Sequence, residues 1–334
     1  MGANYRHIDA VERYVIMGWY NEGHSLRAIA RRLCRSASSI SREIKRNLGD
    51  DGYNAFVANR HARNRLIIPR KPQKLQQSAR LRHYVQRKLD MLWSPQQICG
   101  RIRKDFPSDK EMRISHETIY AYIYAMPKGL LRKELIAKLR RKYPQRGRKS
   151  RATKERGRIA DMISIHDRPQ DIEGRQIFGH WEGDLIIGKN HASAVGTLVE
   201  RKSRYLLLTH LEDKTATQTR LSFIRELDKI PSALRASLTY DQGKEMAQHK
   251  DLASELQMDV YFCDPHAPWQ RGTNENTNGL IRQFLPKGSD LSDVAQDELD
   301  HIAKLINGRP RKVLDFKTPQ EVYFEELKKY HATQ

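Results

Sequence analysis

Hydrophobic residues in the first part of the chain recur every three or four positions, which is the spacing of amphipathic helices. Residues 8–47 contain three such groups, so the pattern predicts three short helices. Gly23 can end the first helix, Ser25 can cap the second, and Ser36 or Ser38 can begin the third. The predicted core positions are Val11, Tyr14, Val15 and Gly18, then Leu26, Ile29, Ala30 and Leu33, then Ile40 and Ile44.

The third predicted helix has a polar and basic outer face. That face carries Ser39, Ser41, Arg42, Lys45 and Arg46. Three short helices that end in such a helix resemble a helix-turn-helix unit, whose last helix enters the major groove of DNA. The other interpretation is a three-helix bundle whose basic face has no role in nucleic-acid binding.

A second group of helices is predicted in residues 79–125. Ser94 and Gln97 have the spacing of a capping box, and Pro95 stands at the first helical position. This combination is typical of a helix start. We interpret the region as a second helix-turn-helix-like unit.

The last helix of this second unit is predicted to begin after Ser115, which can cap it. His116 lies at its start and is a candidate DNA contact. Tyr120 and Tyr122 either complete the hydrophobic core or contact bases, because an aromatic phenol suits both environments.

The charge of the chain is very unevenly distributed. The net charge is +21, yet residues 1–158 hold 38 Lys and Arg against 13 Asp and Glu, a net charge of +25. Residues 159–334 hold 23 against 27, a net charge of −4. Such an excess in the first half exceeds what solubility needs and indicates that this half binds a polyanion.

Two basic stretches containing Pro and Gly separate the predicted folded regions. The predicted organisation is a helix-turn-helix at residues 1–50, a basic linker at 51–78, a second helix-turn-helix-like unit at 79–125, a basic linker at 126–172 and a catalytic core with C-terminal helices at 173–334. In the second stretch, residues 140–158 include ten Lys or Arg. Linkers of this composition are suited to follow DNA phosphates.

From about residue 176 the pattern changes from helical to mixed. Three strand-like segments, a helix, a short strand, a helix, a strand and a helix follow one another in residues 175–286. This order predicts an α/β domain with a central mixed sheet and helices on both faces. The whole chain is therefore expected to be multidomain, with all-α units followed by an α/β core.

Three acidic residues occupy distinctive places in that order. Asp184 lies within the first strand, Asp241 ends the fourth, and Glu275 lies near the start of the helix after the fifth. If strands one and four are adjacent, the two aspartates lie side by side, and a helix crossing the strand ends could direct Glu275 to the same point. Three close carboxylates need a compensating cation, and Mg²⁺ prefers such oxygen ligands.

The amino-acid sequence of the second half resembles that of a known family. The segments "GHWEGDLI", "TLVERKSRY", "YDQGKE", "YFCDPHAPWQRGTNENTNGLIRQFLPKG" and "RPRKVLDFKTPQE" span most of residues 179–321. Together they resemble transposases of bacterial insertion sequences of the IS-thirty family, which have an integrase-type catalytic core. The resemblance implies an RNase H-like (retroviral integrase-type) fold after helix-turn-helix units.

The same resemblance implies roles for individual residues. It makes Asp184, Asp241 and Glu275 the catalytic, metal-binding triad, with two Mg²⁺ ions per active site that Mn²⁺ could replace. It also matches Arg282 to the basic residue that such cores place near a DNA phosphate, and Arg271 and Lys287 are further candidate DNA contacts. Gln242 departs from the family, which usually has Asn in this turn, and could affect the loop beside Asp241.

The neighbours of Asp184 admit several interpretations. Glu182 lies two residues away and so on the same face of the strand, where it could ligate metal, hold Lys or Arg, or support the metal ligands from a second layer. His180 shares that face and is best interpreted as a hydrogen-bonded structural histidine. Trp181 lies on the opposite face and is predicted to be core.

The expected function is that of a DNA transposase. It would bind the terminal inverted repeats of its insertion sequence and catalyse Mg²⁺-dependent strand cleavage and strand transfer. Two alternatives remain: a DNA-binding regulator with an inactive integrase-like core, and an RNase H-like nuclease without strand transfer.

The expected partners are double-stranded DNA at the element ends and the target, and further copies of the chain. Joining two ends needs more than one active site, so at least a homodimer is expected on DNA. The three dispersed cysteines form no zinc pattern. No membrane span is predicted, and a cytoplasmic location is expected, with nucleoid association when bound.

Overall fold

The computed structural model describes residues 6–67, 74–126, 129–137, 139, 159–191, 193–265 and 267–333. These residues form two compact units, one within residues 1–73 and one within residues 74–334. The predicted linker residues 140–158 lie outside the described residues.

The first unit is a small helical domain with a short hairpin. Its elements are α1 (Ala10–Asn21), α2 (Leu26–Arg32), α3 (Ala37–Asn47), β1 (Leu48–Gly49), β2 (Gly52–Tyr53) and α4 (Ala55–Ile67). Ser25 caps α2 and Ser36 caps α3, as predicted. Asp9 and Glu12 form a capping box at the start of α1. Each cap gives the free N–H groups of a helix start a hydrogen-bond partner.

The buried face of α1 differs from the predicted one. Arg13 and Ile16 point into the core, whereas Val11 is 71% and Tyr14 50% exposed. The hydrophobic spacing correctly predicted a helix, but it predicted the wrong buried face. The reason is that Arg13, which pairs with a carboxylate, occupies a core position. Sequence periodicity treats that arginine as a surface residue.

Residues 55–67 form the helix α4 and not the linker that their basic composition predicted. The helix packs on α1 and α3, with Ala55 and Ala58 buried. Short apolar side chains at helical spacing are sufficient for this packing, and Arg65 adds hydrogen bonds to the buried Asn47 of α3.

The second unit begins with a helical subdomain. Its elements are α5 (Lys74–Gln77), α6 (Ala79–Asp90), α7 (Pro95–Asp105), α8 (His116–Ala125) and α9 (Leu130–Ala137). Leu81, Val85, Ile98, Ile119 and Ile123 share one core. The capping box of Ser94 and Gln97 is confirmed. Part of the predicted 126–172 linker is therefore helical, since α9 joins this core through Leu135.

Ion pairs and close packing connect this helical subdomain to the C-terminal segment. Both terminal nitrogens of Arg101 donate to the Glu321 carboxylate at 2.6 Å, and Lys104 contacts Asp315 at 2.6 Å. Gly100 lets the ring of Phe316 approach so closely that a Cβ there would lie 2.0 Å from it. The helical subdomain and the core consequently form one compact unit.

The core contains a six-stranded mixed sheet. Its strands are β3 (Ile163–Ser164), β4 (His180–Ile187), β5 (Ala194–Glu200), β6 (Leu206–Leu211), β7 (Ser237–Tyr240) and β8 (Asp259–Phe262), in the order β3-β8-β7-β4-β5-β6. Strands β4, β5 and β6 are antiparallel, and β4, β7, β8 and β3 are parallel. The predicted order of strands and helices is confirmed. The predicted start of the core at residue 173 was too late, because β3 already pairs with β8.

Helices cover both faces of the sheet. They are α10 (Ala216–Leu227), α11 (His249–Leu256), α12 (Gly272–Ile281), α13 (Gln296–Asn307) and α14 (Pro319–Thr333). One face packs Trp181 and Leu198 against α10 and α11. The other packs Ile186 and Val199 against α12 and α13. The prediction that Trp181 is core is confirmed, since it is fully buried. Among the described residues, no helix has the length and apolarity needed to cross a membrane.

Candidate active site and nucleic-acid interface

Asp184 and Asp241 lie side by side at neighbouring positions of the sheet. Strands β4 and β7 pair in parallel with a constant offset, since His180 aligns with Ser237 and Glu182 with Thr239. Asp241 follows β7 directly, so extending this offset by two residues would place it level with Asp184. The predicted adjacency of these two strands is confirmed.

Arg271 bridges the two aspartates. Its Nη2 lies 3.0 Å from Oδ2 of Asp241 and its Nη1 lies 3.4 Å from Oδ1 of Asp184. Nη1 also donates to the carbonyl oxygen of Gly183 at 2.7 Å. The sequence predicted Arg271 as a DNA contact, whereas the structure places it as the cation between the acids. Since it immediately precedes α12, the start of that helix determines its position.

Each aspartate is oriented by further hydrogen bonds. Asn278 on α12 donates to Oδ2 of Asp184 at 2.9 Å, and the backbone N–H of Leu185 donates to Oδ1. The backbone N–H of Gly243 donates to Oδ1 of Asp241 at 3.0 Å. Burial raises the pKa of Asp184, and the nearby Arg271 opposes this shift.

Glu275 lies on the exposed side of the first turn of α12. Within the described residues, no group of three or more His, Cys, Asp or Glu side chains is arranged so that it could hold a metal ion. The structure thus brings together two of the three predicted ligands, with Arg271 between them, and the role of Glu275 stays a prediction.

Glu182 fixes the start of α12 to the sheet. Its Oε2 accepts the backbone N–H of Asn274 at 2.9 Å, and the Asn274 amide donates to the carbonyl oxygen of Glu182 at 2.9 Å. Asn274 also accepts from Thr197 at 3.1 Å. Glu182, Asn274 and Thr197 are all fully buried. Glu182 therefore holds the helix that carries Asn278 and Glu275, which is one of the roles that its position allowed.

The two parts of the chain match known protein families. The description "Integrase core domain" matches residues 175–268, and "Helix-turn-helix domain" matches residues 4–47. The transposase for insertion sequence element IS1086 of Cupriavidus metallidurans is 48% identical over 97% of this chain and 96% of its own length. The chain belongs to the IS30 (IS-thirty) family of transposases.

Two further transposases of insertion sequences are similar to this chain over nearly its whole length. The transposase InsI for insertion sequence element IS30A of Escherichia coli K12 is 45% identical over 95% of this chain and 83% of its own. The transposase for insertion sequence element IS4351 of Bacteroides fragilis is 36% identical over 95% of both chains. Among solved structures, the catalytic core domain of BIV integrase covers 46% of this chain and 98% of its own, with 20% identity and a TM-score of 0.36.

In this IS30-family transposase the helix α3 presents the predicted DNA-contacting face. Ser41, Arg42, Lys45 and Arg46 are exposed, and Ser39 is half-buried. The buried positions of α3 are Ile40, Glu43, Ile44 and Asn47. The basic outer face and the buried Ile40 and Ile44 agree with the sequence prediction, whereas the burial of Glu43 and Asn47 was not predicted.

An open groove of about 870 Å³ lies beside α3 in the first unit. Arginines from three helices and the preceding segment line it, including Arg6, Arg42, Arg46 and Arg63. The helix α4, which the sequence had assigned to a linker, thus extends the basic surface of the recognition helix.

Of the remaining residues predicted to contact DNA, two are exposed and one is held by hydrogen bonds within the protein. His116 is exposed and lies 3.2 Å from its neighbour Glu117, and Lys287 is exposed. Arg282 donates to the carbonyl oxygens of Ile187, Leu285 and Pro286. Arg282 therefore holds the end of β4.

Gln242 and His180 make structural hydrogen bonds. The Gln242 amide donates to the carbonyl oxygen of Cys263 at 3.1 Å, which joins the loop after β7 to the end of β8. His180 Nδ1 lies 2.8 Å from Ser237 Oγ, and burial lowers its pKa. The interpretation of His180 as a structural histidine is confirmed.

The tyrosines of α8 belong to the core. Tyr120 and Tyr122 are half-buried and pack against the helical core of the second unit. Tyr120 also stacks on Tyr124, which is 50% exposed.

The sequence favours roles for Asn274, Asn276 and Asn278 in organising the start of α12 or contacting DNA over metal ligation, but it does not indicate the supporting role of Thr197. The asparagines alternate along "NENTN" with Glu275, so that helical spacing places Asn274 and Asn278 four residues apart on one face. That spacing could have assigned them to the sheet side and Glu275 to another side.

Proposed function

We propose that this IS30-family transposase binds the terminal inverted repeats of its element and catalyses divalent-metal-dependent strand cleavage and strand transfer through Asp184, Asp241 and Glu275. The observation that supports this proposal best is that the guanidinium of Arg271 contacts both Asp184 on β4 and Asp241, which directly follows the adjacent strand β7. Glu275 follows on the helix that Glu182 fastens beside them.

The chemistry of the proposed ligands suits a hard cation, because all three are carboxylates. The two aspartates already share one positive group, because the Arg271 guanidinium contacts both. Carboxylate oxygens are the ligands that Mg²⁺ prefers, and Mn²⁺ accepts the same set. Two Mg²⁺ ions held by the triad would supply activation of the attacking oxygen and stabilisation of the leaving oxygen.

The chain itself orients these ligands. Asn278 and the N–H of Leu185 fix the Asp184 carboxylate, and the N–H of Gly243 fixes that of Asp241. Arg271 supplies positive charge at the acidic pair, where a DNA phosphate must approach. Fixed donors of this kind reduce the reorganisation that the reaction would otherwise require.

The helix α3 would read the element ends in the major groove, with Ser39, Ser41, Arg42, Lys45 and Arg46 facing DNA. The helix α8 would add His116, and Lys287 would contact a phosphate near the core. Two element ends need two active sites, so the active complex on DNA would be at least a homodimer. The DNA-bound complex would be associated with the nucleoid.

The experiment is an assay of nicking and strand transfer on DNA that carries the element ends. Wild type is compared with Asp184→Asn, Asp241→Asn and Glu275→Gln, each of which keeps the side-chain shape. Loss of a ligand should remove several kcal/mol of transition-state stabilisation, and so slow both reactions about 10³-fold or more. Binding to the ends should remain.

Asp228→Asn is the matched control, since Asp228 is an exposed aspartate that pairs with Arg235. It should cut and join at the wild-type rate. If wild type binds the ends but never cuts, the chain acts as a regulator with an inactive core. If it cuts but never joins, it acts as a nuclease, and either result would refute the proposal.

A further inference from the structure

Four arginines gather beside the start of α12, away from the aspartate pair. Arg168, Arg175, Arg201 and Arg204 come from the segment before β4 and from the turn between β5 and β6; these four residues are the arginine cluster. Arg168 and Arg201 are buried, at 6% and 3% exposure, and the other two are half-buried. Two of them belong to the segment "TLVERKSRY", to which the proposed function assigns no role.

The arginine cluster points at the first turn of α12. Arg201 Nε lies 3.6 Å from Oε1 of Glu182, whose other oxygen accepts the N–H of Asn274. Arg204 donates to the hydroxyl of Thr273. A Cβ on Gly272 would lie 3.9 Å from Nη2 of Arg175. The helix itself contributes partial positive charge at this end.

The hydrogen-bonding capacity of the arginine cluster is incompletely used. Nε of all four arginines, and Nη1 of Arg201, are buried without a hydrogen-bond partner among the described residues. The nearby carboxylates are few: Glu182 is shared with α12, and Glu173 lies 3.6 Å from Arg168. Buried donors without partners are rare in folded proteins and call for an explanation.

The charge balance indicates the kind of missing partner. Burial, followed by the repulsion of the other three guanidiniums, lowers the pKa of Arg201 to about 10, against the attraction of Glu182. Gathering four cations in a partly buried place costs stability unless an anion compensates them. Glu200 lies nearby, but its Oε2 is held by the hydroxyl and N–H of Ser203.

The arginine cluster lies on the same face of the sheet as the active site, because Arg201 approaches Glu182, which shares the face of β4 with Asp184. The backbone N–H of Arg201 pairs with the carbonyl oxygen of His180, which is four residues before Asp184 on β4. At about 3.3 Å per residue this corresponds to roughly 13 Å along the strand, whereas the guanidinium of Arg201 reaches back to Glu182, two residues or about 7 Å from Asp184. These distances are about two to four times the 3.4 Å rise per nucleotide of a DNA strand.

We infer that the arginine cluster and the start of α12 form a binding site for a backbone phosphate of DNA, separate from the phosphate that is cut. This inference rests on the proposed function, since it makes DNA the anion. A DNA strand that passes the aspartate pair supplies phosphates at the required spacing. Arg175 and Arg204, as the half-buried members, contact the phosphate, and Arg168 and Arg201 add positive charge behind them.

The test measures DNA affinity of the full chain as a function of salt concentration. Arg175→Gln and Arg204→Gln each remove one cation while keeping a shorter, neutral polar side chain. Each should weaken binding about tenfold at low salt and lower the slope of log K against log salt by about 0.9, the value for one phosphate contact.

Arg220→Gln is the matched control, because Arg220 is half-buried but lies on α10 and contacts Glu255 and Gln248. It should keep the wild-type slope. A melting curve adds a second readout: Arg204→Gln should melt no lower than wild type, since like charges are removed, whereas Arg220→Gln should melt lower.

The inference is overturned if both cluster variants keep the wild-type slope, whatever their stability. The measurement uses duplexes with and without the element ends, because a phosphate contact does not depend on base sequence. It therefore decides the inference even if the chain does not cut DNA, which is the outcome that would refute the proposed function.

Discussion

Each of the two units buries an arginine beside a glutamate, and the two pairs differ in how completely they are hydrogen-bonded. In the first unit, Arg13 Nε donates to Glu43 at 2.7 Å, and Asn47 and Tyr53 donate to the same carboxylate oxygen. In the core, Arg201 and Glu182 stand 3.6 Å apart, and Arg201 keeps two nitrogens without a hydrogen-bond partner among the described residues.

This difference in hydrogen bonding distinguishes an ion pair that only stabilises the fold from one that still has free donors for a ligand. Arg13 also donates to Asn59 on α4, so the Glu43 network ties α1, α3 and α4 together. The network lies directly beneath the exposed face of α3. In the first unit the facing atoms Arg13 Nε and Glu43 Oε1 are hydrogen-bonded to each other, whereas Arg201 still has two buried donors to offer to a ligand.

The largest expected effect comes from breaking the structural pair with Glu43→Gln. The substitution leaves the Arg13 cation buried without its counter-charge, which should cost about 3 to 5 kcal/mol of unfolding free energy in the first unit. Hydrogen exchange of the α1–α4 amides in the full chain measures this cost. Affinity for DNA should fall in parallel, because α3 loses its support.

Glu22→Gln provides the matched control for this change. Glu22 is exposed, and its carboxylate lies 3.4 Å from the half-exposed ring of His24, two residues along the chain. Its substitution should change the stability by no more than about 0.5 kcal/mol. Equal exchange in the Glu22 and Glu43 variants would show that the Glu43 network contributes little.

A smaller effect is expected from the same substitution in the core. Glu182→Gln removes the carboxylate closest to Arg201 but keeps an oxygen that can accept the N–H of Asn274. The unfolding free energy should fall by about 2 kcal/mol. Inorganic phosphate should recover it, since an anion at about a hundred times its Kd stabilises by about 2.7 kcal/mol.

The melting temperatures of both glutamate variants against phosphate concentration measure this recovery. Chloride at equal ionic strength serves as the control. Only Glu182→Gln should respond to phosphate beyond the effect of chloride. Equal recovery in Glu43→Gln would mean that phosphate acts as a general salt and that the two pairs do not differ as described.

Local patterns in the sequence predicted much of this architecture. The caps Ser25, Ser36 and Ser94 act within three residues, so they are readable from sequence. The alternation of strands and helices likewise predicted the sheet that joins Asp184 to Asp241. The first three helices of the chain were predicted in position for the same reason.

Features that depend on distant partners were not predictable in this way. Arg13 occupies a core position only because Glu43 lies 30 residues further along the chain. Arg271 neutralises two aspartates that precede it by 30 and 87 positions. The helix α4 was missed because its basic composition concealed the small residues that pack it.

The smallest expected effect uses His180 as a reporter of the arginine cluster. Burial, followed by the charge of Arg201, lowers the pKa of His180 below its ordinary 6.5. Between that lowered pKa and 6.5 the folded state binds fewer protons than the unfolded state. The stability contributed by the neutral ring is therefore complete above pH 6.5. It is lost as the pH falls towards the folded-state pKa, at a rate of up to about 1.4 kcal/mol per pH unit.

His180→Asn removes the titrating ring while it leaves an amide near Ser237, so the variant should lose this pH dependence. Unfolding free energies at pH 7 and pH 5 for both proteins measure the difference. NMR titration of His180 sharpens the comparison between the two pairs, because an anion bound by the arginine cluster offsets the charge of Arg201. DNA or phosphate should then raise the pKa of His180. A His180 pKa that does not respond to either anion would place the anion elsewhere on the protein.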